Sequence, residues 1–151
     1  MTVPSKRVVV VTGASGNLGQ AVVRAFEARG DDLVLVDRGA AAAGAALHVA
    51  ADLTDPADAE RIARAAVERY GRIDALCNLA GGFAMGEDVH ATSAATWKRM
   101  WDLNVATMVN ASRAVVPVML AQGRGAIVNV GAFGAQKGGA RMGAYVATKS
   151  A

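Results

Sequence analysis

The apolar residues of the chain alternate between two spacings, and this alternation predicts strands and helices in turn. Short runs that are almost wholly apolar, and rich in Val, Leu and Ile, predict strands buried on both faces of a sheet. They lie at residues 7–11, 33–36, 47–51, 73–77 and 126–130. Between the runs, apolar residues recur at every third or fourth position, which is the period of a helix with one buried face.

Alternating strands and helices predict an α/β fold. We therefore expect one domain over residues 1–151, built as a doubly wound parallel sheet with right-handed crossovers. The order of the strands should reverse between the first strand and the fourth. Ligands of such sheets bind in the crevice at that reversal, outside the carboxyl ends of the strands.

Sequence signals mark where several helices begin and end. In the helix after the first strand, Val22 and Phe26 should face the sheet. The next clear helix begins at residues 54–56, where a capping residue precedes a proline, and it stops at Gly71. Between these two helices, residues 39–46 are rich in Ala and Gly and predict a short or frayed helix.

A long helix should run from a cap at residues 92–93 to about Gln122. Its apolar positions cover more than one face, so we expect burial against the sheet and against a partner subunit, with most of its Met and Trp side chains in the core. Pro117 predicts a kink or a local break. Residues 131–143 predict a Gly-rich loop, and residues 144–149 begin a further helix.

The composition excludes several classes of protein. Hydrophobic residues make up 53% of the chain and aromatic residues 5%, so the core must be built mainly from small aliphatic side chains. The net charge of +3 is spread without a run of Lys or Arg, which argues against a nucleic-acid partner. The run at residues 7–11 is too short for a membrane span or a signal peptide.

The single cysteine and the two histidines carry little chemistry. Cys77 has no second cysteine with which to form an internal disulfide, and this fits a reduced, cytoplasmic setting. His48 and His90 are isolated, without the spacing of metal ligands, so we predict no metal site.

Three glycines mark the turn between the first strand and the first helix, at residues 12–19. Gly13 allows a tight turn, Gly16 lets a phosphate approach the main chain, and Gly19 lets the helix pack close to the strand. An ordinary strand–helix turn shows the same pattern, but a strand before it, a helix after it and an acidic residue downstream favour a dinucleotide site. The predicted cofactor contacts in the turn are Gly13, Ser15, Gly16, Asn17, Leu18 and Gly19.

Two carboxylates follow later strands. Asp37 lies 18 residues after Gly19 at the end of the second strand, where it can accept hydrogen bonds from ribose hydroxyls and repel a 2′-phosphate. This favours NAD over NADP, although Arg38 beside it could hold such a phosphate, and Asp37 could also be a turn residue. Asp52, after the third strand, could contact the adenine or could equally be a turn or capping residue.

Tyr145 and Lys149 are four residues apart at the start of the last helix, so their side chains project from the same side. A nearby cation lowers the pKa of a phenol from its reference of about 10. A phenol tuned in this way can give a proton to a carbonyl oxygen or take one from an alcohol. The spacing is common by chance, and its meaning depends on the rest of the site.

These residues together resemble the short-chain dehydrogenase/reductase family over essentially the whole chain. The resemblance implies a Rossmann-type fold and hydride transfer between a nicotinamide cofactor and a carbonyl or alcohol. It implies that Tyr145 is the acid/base, and that Lys149 holds the nicotinamide ribose and lowers the Tyr pKa. Asn104 would keep a water-linked proton path in place, or else bridge a helix irregularity. The remaining cofactor contacts that it implies are Asp52, Leu53, Asn78, Ala80 and Gly81.

The chain departs from the family pattern at Gly16, which comes one residue early, and at Ala132, where the family carries a catalytic Ser. Loss of such a hydrogen-bond donor typically costs about 2.7–4 kcal/mol of transition-state stabilisation. The branch that resembles dihydropteridine reductases also has Ala there, so reduction of a conjugated, pterin-like substrate is an alternative. A dinucleotide-binding protein or a fragment without turnover is another.

Members of the family are longer than this chain, so we expect a C-terminal part to be missing, either as a fragment or as a truncated gene product. The full-length protein should act on a small molecule, form a homo-oligomer, and lack nucleic-acid and membrane partners.

Overall fold

Five strands form one parallel sheet in a computed structural model that describes residues 6–39 and 46–151. The predicted helix at residues 39–46 lies almost wholly outside the described residues. The strand order is β3-β2-β1-β4-β5, and every neighbouring pair is parallel. The predicted reversal between the first and fourth strands is confirmed. The strands are β1 (Val8–Thr12), β2 (Asp32–Asp37), β3 (Leu47–Ala50), β4 (Ala75–Asn78) and β5 (Ala126–Asn129).

Helices cover both faces of the sheet. One π-helical turn, Asp102–Ala106, joins two helices into the long helix that the sequence predicts. The helices are α1 (Asn17–Glu27), α2 (Pro56–Tyr70), α3 (Ala94–Trp101), α4 (Thr107–Ala121), α5 (Gly134–Lys137) and α6 (Gly143–Lys149).

The valines of β1 explain why its sequence is apolar without alternation. Val9 and Val11 pack on the side of α1, where Val22 and Phe26 cover them as predicted, and the lone thiol of Cys77 is buried there too. Val8 and Val10 face the opposite side, with residues of α2 and α4. A central strand that is buried on both faces needs apolar residues at every position.

The ends of α2 follow their sequence signals. The Asp55 carboxylate accepts a hydrogen bond from Ala57 N at 2.9 Å, and Pro56 occupies the first turn, where its missing N–H costs nothing. Gly71 ends the helix with a φ of 76°, which a side chain would oppose.

One local prediction is wrong, since the Gly-rich segment at residues 131–143 is not wholly a loop and contains the one-turn helix α5. Helix α4 continues through Pro117 without a local break, and the kink stays a prediction. Pro117 and Arg113, whose carbonyl lacks its helical donor, are both exposed, so water can replace that donor. Trp101 is 55% exposed and lies outside the core, whereas Met100 and Met119 are buried in it.

Carboxylates hold together the edge of the sheet that lies opposite the strands' carboxyl ends. Asp31 pairs with Arg7, and Asp74 accepts a hydrogen bond from Val8 N and pairs with Arg72 and Arg124. The hydrogen bond from Arg7 holds the pKa of Asp31 below its ordinary value. These contacts fix the amino ends of the strands and leave the carboxyl ends free to form a site.

Candidate active site

A cleft of about 260 Å³ opens at the carboxyl ends of β1, β2 and β4, where the strand order reverses. Most of the predicted cofactor contacts line it: Gly13, Ser15, Gly16, Asp37, Asp52, Leu53, Ala80 and Gly81. Further lining residues, to which the sequence analysis assigned no role of their own, are apolar or lie inside helices: Val36, Ala51, Leu79, Leu103 and Thr107.

The glycine turn is packed too tightly for side chains. Gly13 has a φ of 65°, and a Cβ built on it would lie 2.9 Å from Ala80 N. A Cβ on Gly19 would overlap the carbonyl oxygen of Gly13, so the helix approaches the strand as predicted. Gly16 caps α1 and supplies no side-chain hydrogen bond, so the first N–H groups of the helix are open to an anion. Asn17 and Leu18, in the first turn, are exposed outside the cleft lining.

Thr12 fastens β1 to the loop after β4. Its Oγ1 accepts hydrogen bonds from Leu79 N at 3.0 Å and Ala80 N at 3.1 Å, and donates to Cys77 O. One hydroxyl therefore fixes the floor of the cleft, a role that the sequence analysis did not predict for Thr12.

Asn78 is buried beneath this floor and does not line the cleft. Its Nδ2 donates to Asn129 Oδ1 at 2.8 Å and to Ser112 Oγ at 3.4 Å. Within the described residues, its buried Oδ1 has no hydrogen-bond partner. The structure thus connects Asn78 to β5 and α4, and its predicted contact with a cofactor stays a prediction.

Asp37 carries the most constrained carboxylate of the cleft. Its Oδ2 accepts hydrogen bonds from Ser15 N at 3.0 Å and Ser15 Oγ at 2.5 Å, and its Oδ1 accepts one from Arg38 N at 2.8 Å. Partial burial raises the pKa of Asp37, but these hydrogen bonds outweigh burial and the net pKa is lowered. The group is therefore a carboxylate anion at neutral pH.

Asp52 lies at the exposed rim of the cleft as a turn residue. Its Oδ1 accepts hydrogen bonds from Thr54 N at 2.9 Å and Thr54 Oγ1 at 2.8 Å, and these bonds lower its pKa. Leu53 is buried beside it, and its carbonyl accepts a hydrogen bond from Asn110. Asp52 is thus a turn residue, one of the two roles expected for it, and its contact with the adenine stays a prediction.

Asn104 joins three elements at the inner end of the cleft. It lies in the π turn, where its Oδ1 accepts a hydrogen bond from Gly82 N at 2.8 Å and its Nδ2 donates to Thr148 Oγ1 at 3.1 Å. Gly81 lies beside Asn104 and Lys149, where there is no room for a side chain. A Cβ on Gly81 would lie 2.8 Å from Asn104 Oδ1 and 3.1 Å from Lys149 Nζ. Such π turns frequently occur at functional sites.

Tyr145 and Lys149 lie one turn apart in α6, beside this inner end. The Lys149 ammonium donates to Val130 O at 3.1 Å, and burial lowers the pKa of the amine. Tyr145 is half-buried, and its ring meets the edge of Phe83 with centroids 4.8 Å apart. Ala132, after β5, offers no hydroxyl. Gly81 lines the cleft, and a Cβ built on it would lie 3.1 Å from Lys149 Nζ, so the Tyr–Lys pair lies next to the inner end of the cleft.

A second cavity of about 280 Å³ lies next to α6, between the loop after β4 and the start of α3. Met85, Arg99 and Ala144 are among the residues that line it. Arg141 connects the loop after β4 to the loop before α6. Its guanidinium donates hydrogen bonds to Gly86 O, and Gly86 N donates to Arg141 O. The φ of Arg141 is 60°, in the left-handed region. The cavity reaches Ala144, the residue before Tyr145 in α6.

Comparison with known proteins decides the family. The family model of the short chain dehydrogenases matches residues 7–151. The chain belongs to the short-chain dehydrogenase family. The chain is 41% identical over 132 residues to galactitol 2-dehydrogenase (L-tagatose-forming) of Cereibacter sphaeroides, a match that covers 82% of this chain and 51% of that protein.

Solved structures agree with the fold. The ligand-free aldohexose dehydrogenase of Thermoplasma acidophilum superposes with a TM-score of 0.89 at 28% identity, over 96% of this chain and 56% of that one. The NADH-dependent reductase A1-R′ complexed with NAD gives 0.85 at 26% identity, over 96% and 68%. The chain spans about half the length of the first curated relative that it matches.

Two further features of the structure concern metals and membranes. Within residues 6–39 and 46–151, no three His, Cys, Asp or Glu side chains are grouped so as to hold a metal ion. One stretch of the described residues, Ala94–Ala121, is long and apolar enough to cross a membrane by composition alone. It packs against α2, the sheet and α6 in the same fold as its relatives, so it does not point to a membrane protein.

Proposed function

We propose that this dehydrogenase transfers a hydride between NAD and a carbonyl or alcohol group of a small molecule, with residues 1–151 as its dinucleotide-binding domain. The observation that carries the proposal is the convergence of Gly81, Asn104 and Lys149 at the inner end of a cleft whose outer end holds Asp37. Family membership supports a nicotinamide dinucleotide in that cleft.

The cleft residues fit the two ends of such a cofactor. The turn at residues 13–19 leaves N–H groups open for a pyrophosphate, and its glycines let the loop at Ala80 approach closely. Asp37 would bind the adenosine ribose and disfavour a 2′-phosphate, so we propose NAD rather than NADP. Lys149 would bind the nicotinamide ribose. The bound nicotinamide supplies or accepts the hydride.

Tyr145 is the proposed acid/base. Its hydroxyl would give a proton to the substrate oxygen during reduction and take it back during oxidation. The Lys149 ammonium, half-buried and four residues along the same helix, would stabilise the phenolate left behind. Asn104 would hold α6 and the loop at Gly82 in register, and through them the proton path.

Ala132 favours a second candidate. Without a hydroxyl at this position, an isolated ketone lacks one polarising donor. A conjugated, pterin-like substrate accepts a hydride without that polarisation, so a dihydropteridine-reductase-like activity follows naturally. A protein that binds the dinucleotide without turnover is the third possibility that Ala132 supports.

We propose a homo-oligomer in the cytoplasm, without nucleic-acid or membrane partners. The supporting observation is apolar exposure on the long helix, where Trp101 is 55% exposed and Leu120 is 75% exposed. Light scattering coupled to gel filtration tests the oligomeric state, and a monomer at every concentration would contradict it.

The deciding experiment compares binding with turnover. Fluorescence titration should show tighter binding of NADH than of NADPH. NADH oxidation or NAD reduction should then appear with a polyol, an aldohexose or a quinonoid dihydropterin, and Tyr145→Phe should abolish it while Tyr70→Phe, in α2, should not. Tight NADH binding without turnover on any substrate class would favour the binding protein, and unchanged turnover in Tyr145→Phe would refute the assigned acid/base.

A further inference from the structure

The ring of Tyr145 is held by packing and not by a hydrogen bond of its hydroxyl. Within residues 6–39 and 46–151, the hydrogen bond to the side of Thr148 involves only the main-chain carbonyl of Tyr145, and none reaches its hydroxyl. The ring of Phe83 meets the Tyr145 ring edge to face, with the centroids 4.8 Å apart and the ring planes at 79°. Two aromatic rings prefer this arrangement. The direction of the phenol therefore depends on its contact with Phe83.

The loop that carries Phe83 is attached to α6 just before the aromatic contact. Gly82 N donates a hydrogen bond to Asn104 Oδ1 at 2.8 Å, and Asn104 Nδ2 donates to Thr148 Oγ1, in α6, at 3.1 Å. A Cβ on Gly82 would lie 2.6 Å from Leu103 Cδ1, so this residue packs directly on the π turn. The position from which Phe83 projects is therefore fixed relative to the helix of Tyr145.

A second attachment follows three residues after Phe83. Gly86 N donates a hydrogen bond to Arg141 O at 2.9 Å, and the Arg141 guanidinium donates to Gly86 O. Arg141 comes two residues before α6, and Tyr145 lies in the first turn of that helix. The loop is thus held against the start of α6 on both sides of Phe83, and its ring is kept next to the phenol.

Phe83 does not serve the core of the protein. It is 55% exposed and lies outside the lining of the cofactor cleft. Substitutions at exposed positions usually have small effects on stability, so a change at Phe83 should leave the fold in place. The contact with Tyr145 is therefore the observation that assigns this side chain a role.

We propose that Phe83 is a positioning residue for the acid/base, which holds the Tyr145 ring in the direction that places its hydroxyl against the substrate oxygen. The inference rests on the proposed role of Tyr145 in proton transfer. An aromatic pair of this kind favours the paired arrangement about twofold to tenfold. Proton transfer needs the hydroxyl within hydrogen-bond reach of the reacting oxygen, so a ring that turns away does not contribute to kcat.

The first test needs no substrate. The chain has two tyrosines, Tyr70 and Tyr145, so a Tyr70→Phe protein labelled with ¹³C at tyrosine Cζ gives one NMR signal, from the carbon that bears the Tyr145 hydroxyl. Phe83→Leu should shift and broaden this signal, because an aliphatic side chain cannot make the edge-to-face contact and the ring samples several directions. Phe83→Trp keeps an aromatic ring and should keep the line sharp.

The matched control for this signal is Phe133→Leu. Phe133 is also an exposed phenylalanine near the end of a strand, at 73% exposure, and its ring lies against the Lys137 ammonium, 5.4 Å from the ring centroid. Its replacement should leave the Tyr145 signal unchanged. Circular dichroism should show the same cooperative thermal transition for each variant, which excludes unfolding as the cause of any change.

The second test separates turnover from binding. With a substrate that the unaltered protein turns over, Phe83→Leu should lower kcat about fivefold, and Phe83→Trp should restore most of the loss. The dissociation constant of NADH should stay within about twofold in both variants, because Phe83 lies outside the cleft lining. A loss in kcat without a loss in NADH affinity distinguishes positioning of the phenol from general support of the loop.

The outcomes separate this inference from the proposed function. If Phe83→Leu leaves the Tyr145 signal unchanged, Phe83 does not hold the ring and the inference is overturned, whatever the turnover. An unchanged kcat in Phe83→Leu, or an NADH affinity that falls as far as kcat, would also overturn it. Absence of turnover in the unaltered protein counts against the proposed function alone, and the NMR signal then still decides whether Phe83 holds the ring of Tyr145.

Discussion

The inner end of the cleft depends on the absence of a single methyl group at Gly81. In Gly81→Ala, the new Cβ would lie 2.8 Å from Asn104 Oδ1 and 3.1 Å from Lys149 Nζ, both closer than ordinary van der Waals contact. Asn104 cannot retreat cheaply, because it is 6% exposed and hydrogen-bonded to both Gly82 and Thr148. The substitution must therefore break at least one of these hydrogen bonds.

The magnitude follows from that loss. A buried polar group left unsatisfied costs about 1–3 kcal/mol. For a domain of this size each kcal/mol lowers the melting temperature by roughly 2–4 °C. We therefore expect Gly81→Ala to melt several degrees lower, as measured by circular dichroism, and to bind NADH more weakly because Lys149 is displaced.

The matched control is Gly39→Ala, where a Cβ would meet no atom of residues 6–39 and 46–151 within 4 Å. It should melt within about 1 °C of the unaltered protein, since surface substitutions rarely exceed about 0.5 kcal/mol. If Gly81→Ala matches Gly39→Ala in both melting temperature and NADH affinity, the packing of Gly81 against Asn104 and Lys149 does not matter and the reasoning is refuted.

Two further predictions concern the reaction and the pH dependence of stability. Ala132→Ser should raise kcat/KM for an isolated ketone about a hundredfold, because the new hydroxyl can donate a hydrogen bond to the substrate oxygen. An unchanged kcat/KM would favour the conjugated substrate. The pKa of Asp31 is held low by Arg7, so this carboxylate stabilises the fold above its unfolded pKa of about 4 and loses that effect as the pH falls through its lower folded pKa. Urea melts from pH 7 to pH 2 should therefore show a shallower loss of stability for Asp31→Asn, and parallel curves would contradict this.

Much of the fold follows from local sequence. The apolar run of β1, the glycine turn after it and the signals at Pro56 and Gly71 each act within a few residues, so the sequence shows them directly. The sheet order follows from general rules on parallel strands. The strand bounds differ from the predicted ones by no more than two residues.

The features that the sequence did not reveal depend on distant contacts. The resemblance allowed a helix irregularity at Asn104, but the partners that hold the π turn, Gly82 22 residues earlier and Thr148 44 residues later, are distant in sequence and were not predicted. The exposure of Trp101 depends on which neighbours the helix meets. The position of Asp37 was predicted from its spacing after Gly19. The hydrogen bonds that its carboxylate accepts from Ser15 N and Ser15 Oγ are visible only in three dimensions.

The buried thiol of Cys77 gives the protein its own reporter of opening. It is 4% exposed, lies in the strand whose carboxyl end borders the cleft, and burial raises its pKa, so a thiol reagent can reach it only when the sheet opens. As the sole cysteine of the chain, it gives a signal without background. A ligand that binds only the closed form slows this labelling in proportion to its occupancy, so the rate of alkylation reads out dinucleotide affinity without any turnover.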